Sequence, residues 1–283
     1  MTLPTVSSIP ETRAAVAALR EAGRSVALVP TMGALHDGHL ALVGRARETA
    51  DAIVASVFVN PLQFGPTEDF DRYPRTLDAD TPALARAGVD LLFAPSVADM
   101  YPEGRTLITV AAGPVGDVLE GRVRPGHFDG MLTVVAKLLH IVGPDVVLFG
   151  QKDAQQVFLV RRMVADLDVP VRVEVVPTVR EPDGLARSSR NRYLSADDRR
   201  RALALPSALR AAAAAADRGT ERMLEAARAE LEGRDGVQPD YLAAVDPATF
   251  QPVEDRYRGP ALVLVAARVG GTRLIDNALV PVG

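Results

Sequence analysis

The chain has 283 residues, of which 48% are hydrophobic and 24% charged, and its formal net charge is -4 at pH 7. This apolar content excludes wholesale disorder and fibrous repeats, and the length predicts a large domain with a smaller companion. The lack of cysteine excludes disulfides, thiolate metal sites and cysteine nucleophiles.

Charge and hydropathy also limit the expected partners. The mild acidity argues against a protein that coats nucleic acid. The first ten residues have no basic segment followed by an apolar stretch, and no apolar run approaches the ~18 residues of a bilayer span. We therefore expect a cytoplasmic protein with neither membrane nor nucleic-acid partners.

The first two thirds of the chain alternate short apolar runs with amphipathic segments, which is typical of parallel strands joined by helices. The predicted strands are 25–29, 53–59, 91–94, 146–149 and 171–176, and the predicted helices are 39–50, 80–87, 131–142 and 155–166. Lys137, within the third of these helices, is expected to face solvent. The pattern predicts an α/β domain with a Rossmann-like parallel sheet over residues 1–178.

The composition changes after residue 192. Ser195, followed three residues later by Asp198, resembles a capping box and predicts the start of an Ala- and Arg-rich helix, and residues 220–231 form a second helical pattern. Apolar runs at 241–245, 261–269 and 274–280 predict antiparallel strands, with a hairpin turn at Gly270 and Gly271. Residues 179–283 are therefore expected to form a smaller α+β C-terminal domain.

Polar residues directly follow three of the predicted parallel strands, at positions 31–33, 60–63 and 150–153. Ligands of open parallel sheets bind outside the carboxyl ends of the strands, where such loops meet. The third loop contains Lys152, one of only two lysines in an otherwise arginine-rich chain. The sequence thus predicts one ligand cleft served by three loops.

His36 and His39 lie in the first of these loops, at the start of a predicted helix. A helix N-terminus offers unpaired N–H groups, and two imidazoles beside it favour a bound phosphate. The same pair could instead hold a metal ion or cap the helix. No third residue stands at a recognisable metal-ligand spacing.

Neither the P-loop nor the dinucleotide-binding glycine motif occurs. The sequence His36-Asp37-Gly38-His39 instead resembles the HIGH motif of the nucleotidylyltransferase superfamily, and the sequence at 187–191, RSSRN, resembles its KMSKS-like counterpart. The longer strings are similar to those of one family, the pantoate–β-alanine ligases: PTMGALHDGH, FVNPLQF, RYPRTLDAD, RPGHFDG, FGQKDAQQ and SSRNRYLS.

This resemblance implies a ligase that works in two steps. ATP and (R)-pantoate would give pantoyl adenylate and pyrophosphate, and β-alanine would then displace AMP to form pantothenate. It also implies Mg2+ with the ATP, a homodimer, and a C-terminal domain that acts as a lid. The catalytic positions carried over are His36, Lys152, Arg190 and the proton donor His39.

The resemblance also assigns binding residues. The ATP-binding positions are Met32, Gly33, Ala34, Leu35, His36, Asp37, Gly38, His39, Gly150, Gln151, Lys152, Asp153, Val179, Arg187, Ser188, Ser189 and Arg190. Gln63 and Gln156 match pantoate-binding glutamines, and Gln63 is also linked to β-alanine. Further pocket candidates are Asn60, Arg124 and His127, and no residue is expected to bind metal directly. The chain departs from the family at Arg187, where Leu or Met is commoner, and at Gln151, where Glu is common.

Several of these residues also have a plain structural interpretation. Gln63 and Gln156 could be polar filler, Arg124 and His127 part of a solvated loop, Asp153 a helix cap, and residues 187–190 a flexible linker. At the level of function, the alternatives are a nucleotidyltransferase that keeps AMP in its product, a catalytically silent nucleotide sensor, and a histidine-based metallohydrolase.

Overall fold

The computed structural model describes residues 2–66, 68, 70–104 and 106–283, which form two compact units. The first unit runs to Gly150 and resumes over Leu159–Val176, and the second comprises Gln151–Phe158 and Pro177–Gly283. The boundary between the two units, after Val176, therefore lies two residues before the predicted boundary after residue 178. Residues 151–158, which we assigned to the first domain, belong to the second unit because Asn277 bonds their first carbonyls and the rings of Phe158 and Phe250 pack with centroids 5.0 Å apart.

The first unit alternates strands and helices. Its elements are β1 Thr5–Val6, α1 Ile9–Glu21, β2 Val26–Thr31, α2 Asp37–Ala46, β3 Ala52–Val57, α3 Leu77–Ala87, β4 Leu91–Phe93, α4 Val97–Met100, α5 Glu120–Val123, α6 His127–Val142, β5 Val146–Gly150, α7 Ala154–Asp166, whose first residues belong to the second unit, and β6 Arg172–Val176.

These six strands form one sheet in the order β1-β4-β3-β2-β5-β6, and all neighbouring strands are parallel. β2 lies between β3 and β5, with Leu28 opposite Val54 on β3 and opposite Val147 on β5. The chain runs from β2 toward β4 on one side and from β5 to β6 on the other, so the strand order switches between β2 and β5. Ligands bind at the carboxyl edge beside such a switch. The predicted Rossmann-like sheet is confirmed.

Local capping begins one helix that the sequence analysis did not predict and moves the start of another. Ser8 and Glu11 form a capping box that begins α1, a helix we did not predict. α2 begins at Asp37 instead of residue 39 because His36 is its N-cap. The expectation that Lys137 faces solvent is wrong: the residue is half-buried, and its Nζ lies 5.5 Å from the ring centroid of Tyr101.

The second unit is α+β, as predicted. Its main elements are α8 Ala196–Ala202, α9 Ala204–Ala215, α10 Thr220–Glu232, β7 Val237–Val245, β8 Gly259–Val269 and β9 Thr272–Val282. Ser195 caps α8 by accepting the N–H of Asp198 at 3.1 Å. The strands form an antiparallel sheet in the order β7-β8-β9, and Gly270, with φ of 56°, makes the predicted turn between β8 and β9. Within the described residues, no helix combines the length and hydropathy needed to span a membrane.

Candidate active site

The two motif histidines cap the first turn of α2. His36 Nδ1 accepts a hydrogen bond from Gly38 N at 3.1 Å, and His39 Nδ1 accepts one from His36 N at 3.3 Å. The two rings stack with their centroids 4.1 Å apart, and both residues are half-buried. Both side chains therefore cap the helix through Nδ1.

This capping fixes the chemistry of the other ring nitrogen. Since a ring nitrogen that accepts a hydrogen bond carries no hydrogen, the hydrogen of each neutral imidazole lies on Nε2. His36 and His39 are thus both Nε2–H donors, and they stand at the positive end of the α2 dipole. Paired donors at a helix N-terminus suit a phosphate group.

Asn60, which follows β3, has an amide whose orientation is fixed by the backbone. Its Oδ1 accepts the N–H of Leu62 at 3.3 Å, and its Nδ2 donates to the carbonyl of Gly130 at 3.1 Å. Tyr101 adds a hydroxyl donor to Oδ1 at 2.8 Å, and burial raises the pKa of Tyr101, so this hydroxyl keeps its hydrogen. An inverted amide would place donor against donor and acceptor against acceptor.

Asn60 in turn orients Gln63, the last residue of the 3₁₀ turn Pro61–Gln63. Asn60 Nδ2 donates to Gln63 Oε1 at 3.0 Å, which fixes the orientation of the amide and identifies Nε2 as its donor. In this structure Nε2 lies 3.4 Å from Met32 Sδ, in the loop after β2. Gln63 is therefore set to recognise a hydrogen-bond acceptor, such as a carboxylate or hydroxyl oxygen.

His127, the first residue of α6, holds the backbone of the same glutamine. Its Nδ1 lies 2.8 Å from Gln63 O, and its Nε2 lies 3.0 Å from Arg124 Nη1. Because arginine only donates, Nε2 is the acceptor and Nδ1–H donates to Gln63 O. Burial, assisted by the charge of Arg124, lowers the pKa of His127 from 6.5 to about 4. At pH 7 this ring is neutral and supports Gln63.

Arg124 is bound by carboxylates of its own unit. Its Nη2 lies 2.6 Å from Glu68 Oε2, and its Nη1 lies 3.6 Å from Glu120 Oε1. The structure therefore brings Asn60, Arg124 and His127 to Gln63, and two of the three contact its backbone carbonyl. Their contacts differ from those of an ordinary solvated loop.

The buried imidazole makes the stability of the fold depend on pH. Above pH 6.5 His127 is neutral in both the folded and the unfolded chain. As the pH falls toward 4, the unfolded chain takes up a proton that the folded chain refuses, so the free energy of unfolding decreases. With 1.36 kcal/mol for each pKa unit, the loss between pH 6.5 and about 4 is roughly 3 kcal/mol.

We expect His127→Gln to remove this loss, which denaturant unfolding at pH 7 and pH 4.5 measures. His140→Gln is the matched control, because His140 is exposed on the same helix. It should keep the pH dependence of the unchanged chain. Equal pH dependence of the His127→Gln protein and the unchanged chain would contradict the prediction.

In the second unit, the turn that carries Lys152 is fastened by strand β9. Asn277 is buried, and its Nδ2 donates to Gln151 O and to Lys152 O, both at 2.9 Å. The side chain of Gln151 lies 3.4 Å from Asn277 Oδ1, so this departure from the family pattern still contributes to the fastening. The Lys152 side chain is not needed for these contacts. Asp153 is exposed and Gln156, on α7, is half-buried.

Residues 187–190 make hydrogen bonds and an ion pair within the second unit. Arg187 N donates to Val179 O at 2.9 Å, and Ser188 Oγ accepts the N–H of Arg190 at 3.2 Å. The Arg187 guanidinium lies 3.5 Å from Glu181 Oε1, a carboxylate that also accepts a bond from Asn191 at 2.8 Å. The second departure from the family pattern is thus an ion pair within the unit.

Among the residues that support the site, sequence reasoning missed Tyr101, Gly130 and Asn277. Gly130 lies inside a quoted motif, but nothing in the sequence shows what it approaches. Tyr101 and Asn277 are 41 and 126 positions away from the residues they hold, and such distances leave no local pattern. Among the described residues, no group of three or more His, Asp or Glu side chains could hold a metal ion.

Comparison with known proteins identifies the family. The family model described as pantoate-beta-alanine ligase matches residues 4–279. The chain belongs to the pantoate–β-alanine ligase family. A pantothenate synthetase of Leifsonia xyli subsp. xyli is 60% identical over 252 residues, which are 89% of this chain and 88% of that relative. The predicted family, and its place among the ligases, are confirmed.

Two solved structures of this family match the chain over nearly its whole length. The pantothenate synthetase of Thermus thermophilus has a TM-score of 0.91 and 50% sequence identity, and the match covers 98% of this chain and 99% of that one. The pantoate-beta-alanine ligase of Francisella tularensis, complexed with beta-gamma ATP and beta-alanine, has a TM-score of 0.81 and 34% identity, covering 98% and 97%. The chain therefore has the fold of these family members over nearly its whole length and theirs.

Proposed function

We propose that this chain joins (R)-pantoate and β-alanine to pantothenate, with ATP converted to AMP and diphosphate, in the biosynthesis of pantothenate and coenzyme A. The observation that carries the proposal is the full-length similarity to a ligase complexed with beta-gamma ATP and beta-alanine. In the first step the pantoate carboxylate attacks the α-phosphorus of ATP and pyrophosphate leaves. In the second, the β-alanine amine attacks the acyl carbon of pantoyl adenylate, forming the amide and releasing AMP.

The first step needs positive charge and hydrogen-bond donors more than covalent help, because both the leaving pyrophosphate and the transferred group are anionic. We assign this role to His36, His39, Lys152 and Arg190. The orientation of the two imidazoles supports the assignment, since each presents Nε2–H beside a helix N-terminus. His39 is proposed as the proton donor. ATP is proposed to lie along residues 32–39, 150–153 and 187–190 and beside Val179.

Pantoate carries a carboxylate and two hydroxyl groups, all of which can accept hydrogen bonds. Gln63 can donate its amide Nε2–H to such groups, because the bond from Asn60 to its oxygen fixes the orientation of the amide. We propose that Gln63 and Gln156 bind pantoate and that Gln63 also contacts β-alanine. Asn60, Arg124 and His127 then act by holding Gln63 in place.

Mg2+ is proposed to accompany ATP, held by phosphate oxygens and water, a common mode for this ion with nucleotides. The second unit is proposed to act as a lid that excludes water from the adenylate, which hydrolysis would otherwise destroy. From the family resemblance we further propose that the protein is a cytoplasmic homodimer. Sedimentation of the purified protein tests the homodimer.

Incubation with ATP, Mg2+, pantoate and β-alanine, with each component omitted in turn, tests the function. We expect pyrophosphate release to require pantoate but not β-alanine, and AMP and pantothenate to appear only when β-alanine is added. A product that retains AMP after addition of amine would favour the nucleotidyltransferase alternative. ATP binding without pyrophosphate from any acid would favour the silent sensor.

A further inference from the structure

Asp80 is a buried carboxylate for which the sequence suggested no role. It lies in the first turn of α3, is only 4% exposed, and accepts three hydrogen bonds. Two come from the backbone N–H groups of Ala34 and Leu35, each at 3.0 Å, and the third comes from the Thr76 hydroxyl at 2.9 Å. Asp80 therefore binds the loop that precedes the histidine motif from 46 residues away.

The loop that Asp80 binds has an unfavourable backbone conformation. Gly33 has φ of 79°, which glycine tolerates, but Ala34 has φ of 51°. This left-handed region is disfavoured for alanine roughly 5- to 30-fold in population. Successive N–H groups in such a turn form a concavity that binds an anion, and here the Asp80 carboxylate is that anion. The carboxylate thus offsets the conformational cost at Ala34.

The same contact determines where the α2 cap begins. Leu35, whose N–H bonds Asp80 Oδ1, immediately precedes His36, the N-cap of α2. Gly33 permits the approach, because a Cβ at this position would lie 3.0 Å from Asp80 Oδ2. Movement of the loop would therefore move the capping residue and the stacked ring of His39 with it.

We propose that Asp80 is a positioning residue for the ligase reaction: by holding Ala34 in the left-handed conformation, it sets the position of His36 and His39. This inference rests on the proposed function, since it assigns the consequence to adenylate formation. Asp80 acts through the backbone of the loop and is not proposed to contact either substrate.

The test is a double-mutant cycle that combines Asp80→Asn and Ala34→Gly. For each variant, the rate of pantoate-dependent pyrophosphate release is measured at saturating ATP. The asparagine keeps the shape of the side chain but replaces one accepting oxygen with a donor, so one loop N–H loses its partner. Because small displacements of reacting groups can cost about 100-fold, we expect kcat of this step to fall 10- to 100-fold.

Ala34→Gly distinguishes a positioning role of Asp80 from a contribution to the stability of the fold alone. Glycine adopts the left-handed conformation without penalty, so Ala34→Gly should raise kcat at least threefold more in the Asp80→Asn background than in the unchanged chain. A merely structural role for Asp80 would lower the melting temperature without this coupling in kcat. Asp78→Asn is the matched control. It removes the same charge from an exposed position in the same helical turn and should leave kcat within twofold.

Amide hydrogen exchange tests the contact between Asp80 and the loop in the unchanged protein. The N–H groups of Ala34 and Leu35 should exchange at least 100-fold more slowly than unprotected amides, and rapid exchange at both would overturn the proposal. So would an Asp80→Asn protein with unchanged kcat, or equal effects of Ala34→Gly in both backgrounds. If the unchanged chain released no pyrophosphate with pantoate, the proposed function would fail, whereas slow exchange at both amides would still support the loop contact.

Discussion

Lys152→Ala is expected to lower the rate of pantoyl adenylate formation about 100- to 1000-fold, the usual cost of removing one well-placed donor to a developing negative charge. The fold should survive, because Asn277 fastens this turn through the carbonyls of Gln151 and Lys152, which the substitution retains. Single-turnover measurement of pyrophosphate release with ATP and pantoate reports the step directly.

Arg161→Ala provides the comparison for the lysine variant. Arg161 is exposed on α7, and its removal takes away the same positive charge. We expect a change in rate of less than twofold for this variant. If Lys152→Ala formed adenylate as fast as Arg161→Ala, the assignment of Lys152 to the triphosphate would be wrong.

Gly130→Ala should lower kcat/KM for pantoate about 100-fold. A Cβ on Gly130 would lie 2.1 Å from Leu62 O and 2.7 Å from Gln63 N, and backbone atoms cannot rotate away. The 3₁₀ turn must therefore shift from α6 by an ångström or more, which displaces Gln63 and breaks the bond from Asn60 Nδ2 to Gly130 O. A displacement of this size typically costs about 100-fold in rate, and overpacking costs a further 1–3 kcal/mol of stability.

Steady-state kinetics with varied pantoate measure the fall in kcat/KM, and a thermal melt measures the loss of stability. Gly44→Ala is the matched control, because Gly44 lies inside α2 and nothing stands within 4 Å of an added Cβ. Alanine there should raise stability by up to about 1 kcal/mol. A Gly130→Ala protein with unchanged kcat/KM would show that the position of Gln63 does not govern pantoate binding.

The parallel sheet could be predicted because its inner strands are buried and appear as continuous apolar runs, such as Leu91–Phe93. The start of α2 was misplaced because histidine is an unusual N-cap, and only the geometry of His36 shows that it accepts the N–H of Gly38. α1 was missed although the Ser8 and Glu11 box is visible in the sequence.

The residues of the candidate site also differ in how far the sequence predicts them. The residues proposed to carry the chemistry lie in local motifs, so His36, Lys152 and Gln63 could be named from the sequence alone. Residues that hold them in place, such as Tyr101 and Asp80, reach them only after the chain has folded. Their roles depend on hydrogen bonds across dozens of positions, which composition and spacing do not encode.

The bonds from Asn277 to the Lys152 turn have a consequence for the order in which the protein matures. During translation, residues 151–153 leave the ribosome more than a hundred residues before their anchor does. Until strand β9 has been synthesised, the carbonyl oxygens of Gln151 and Lys152 cannot accept hydrogen bonds from Asn277. The strands of the parallel sheet can thus all be synthesised early, while the turn that carries Lys152 gains this anchor only after strand β9 has been made.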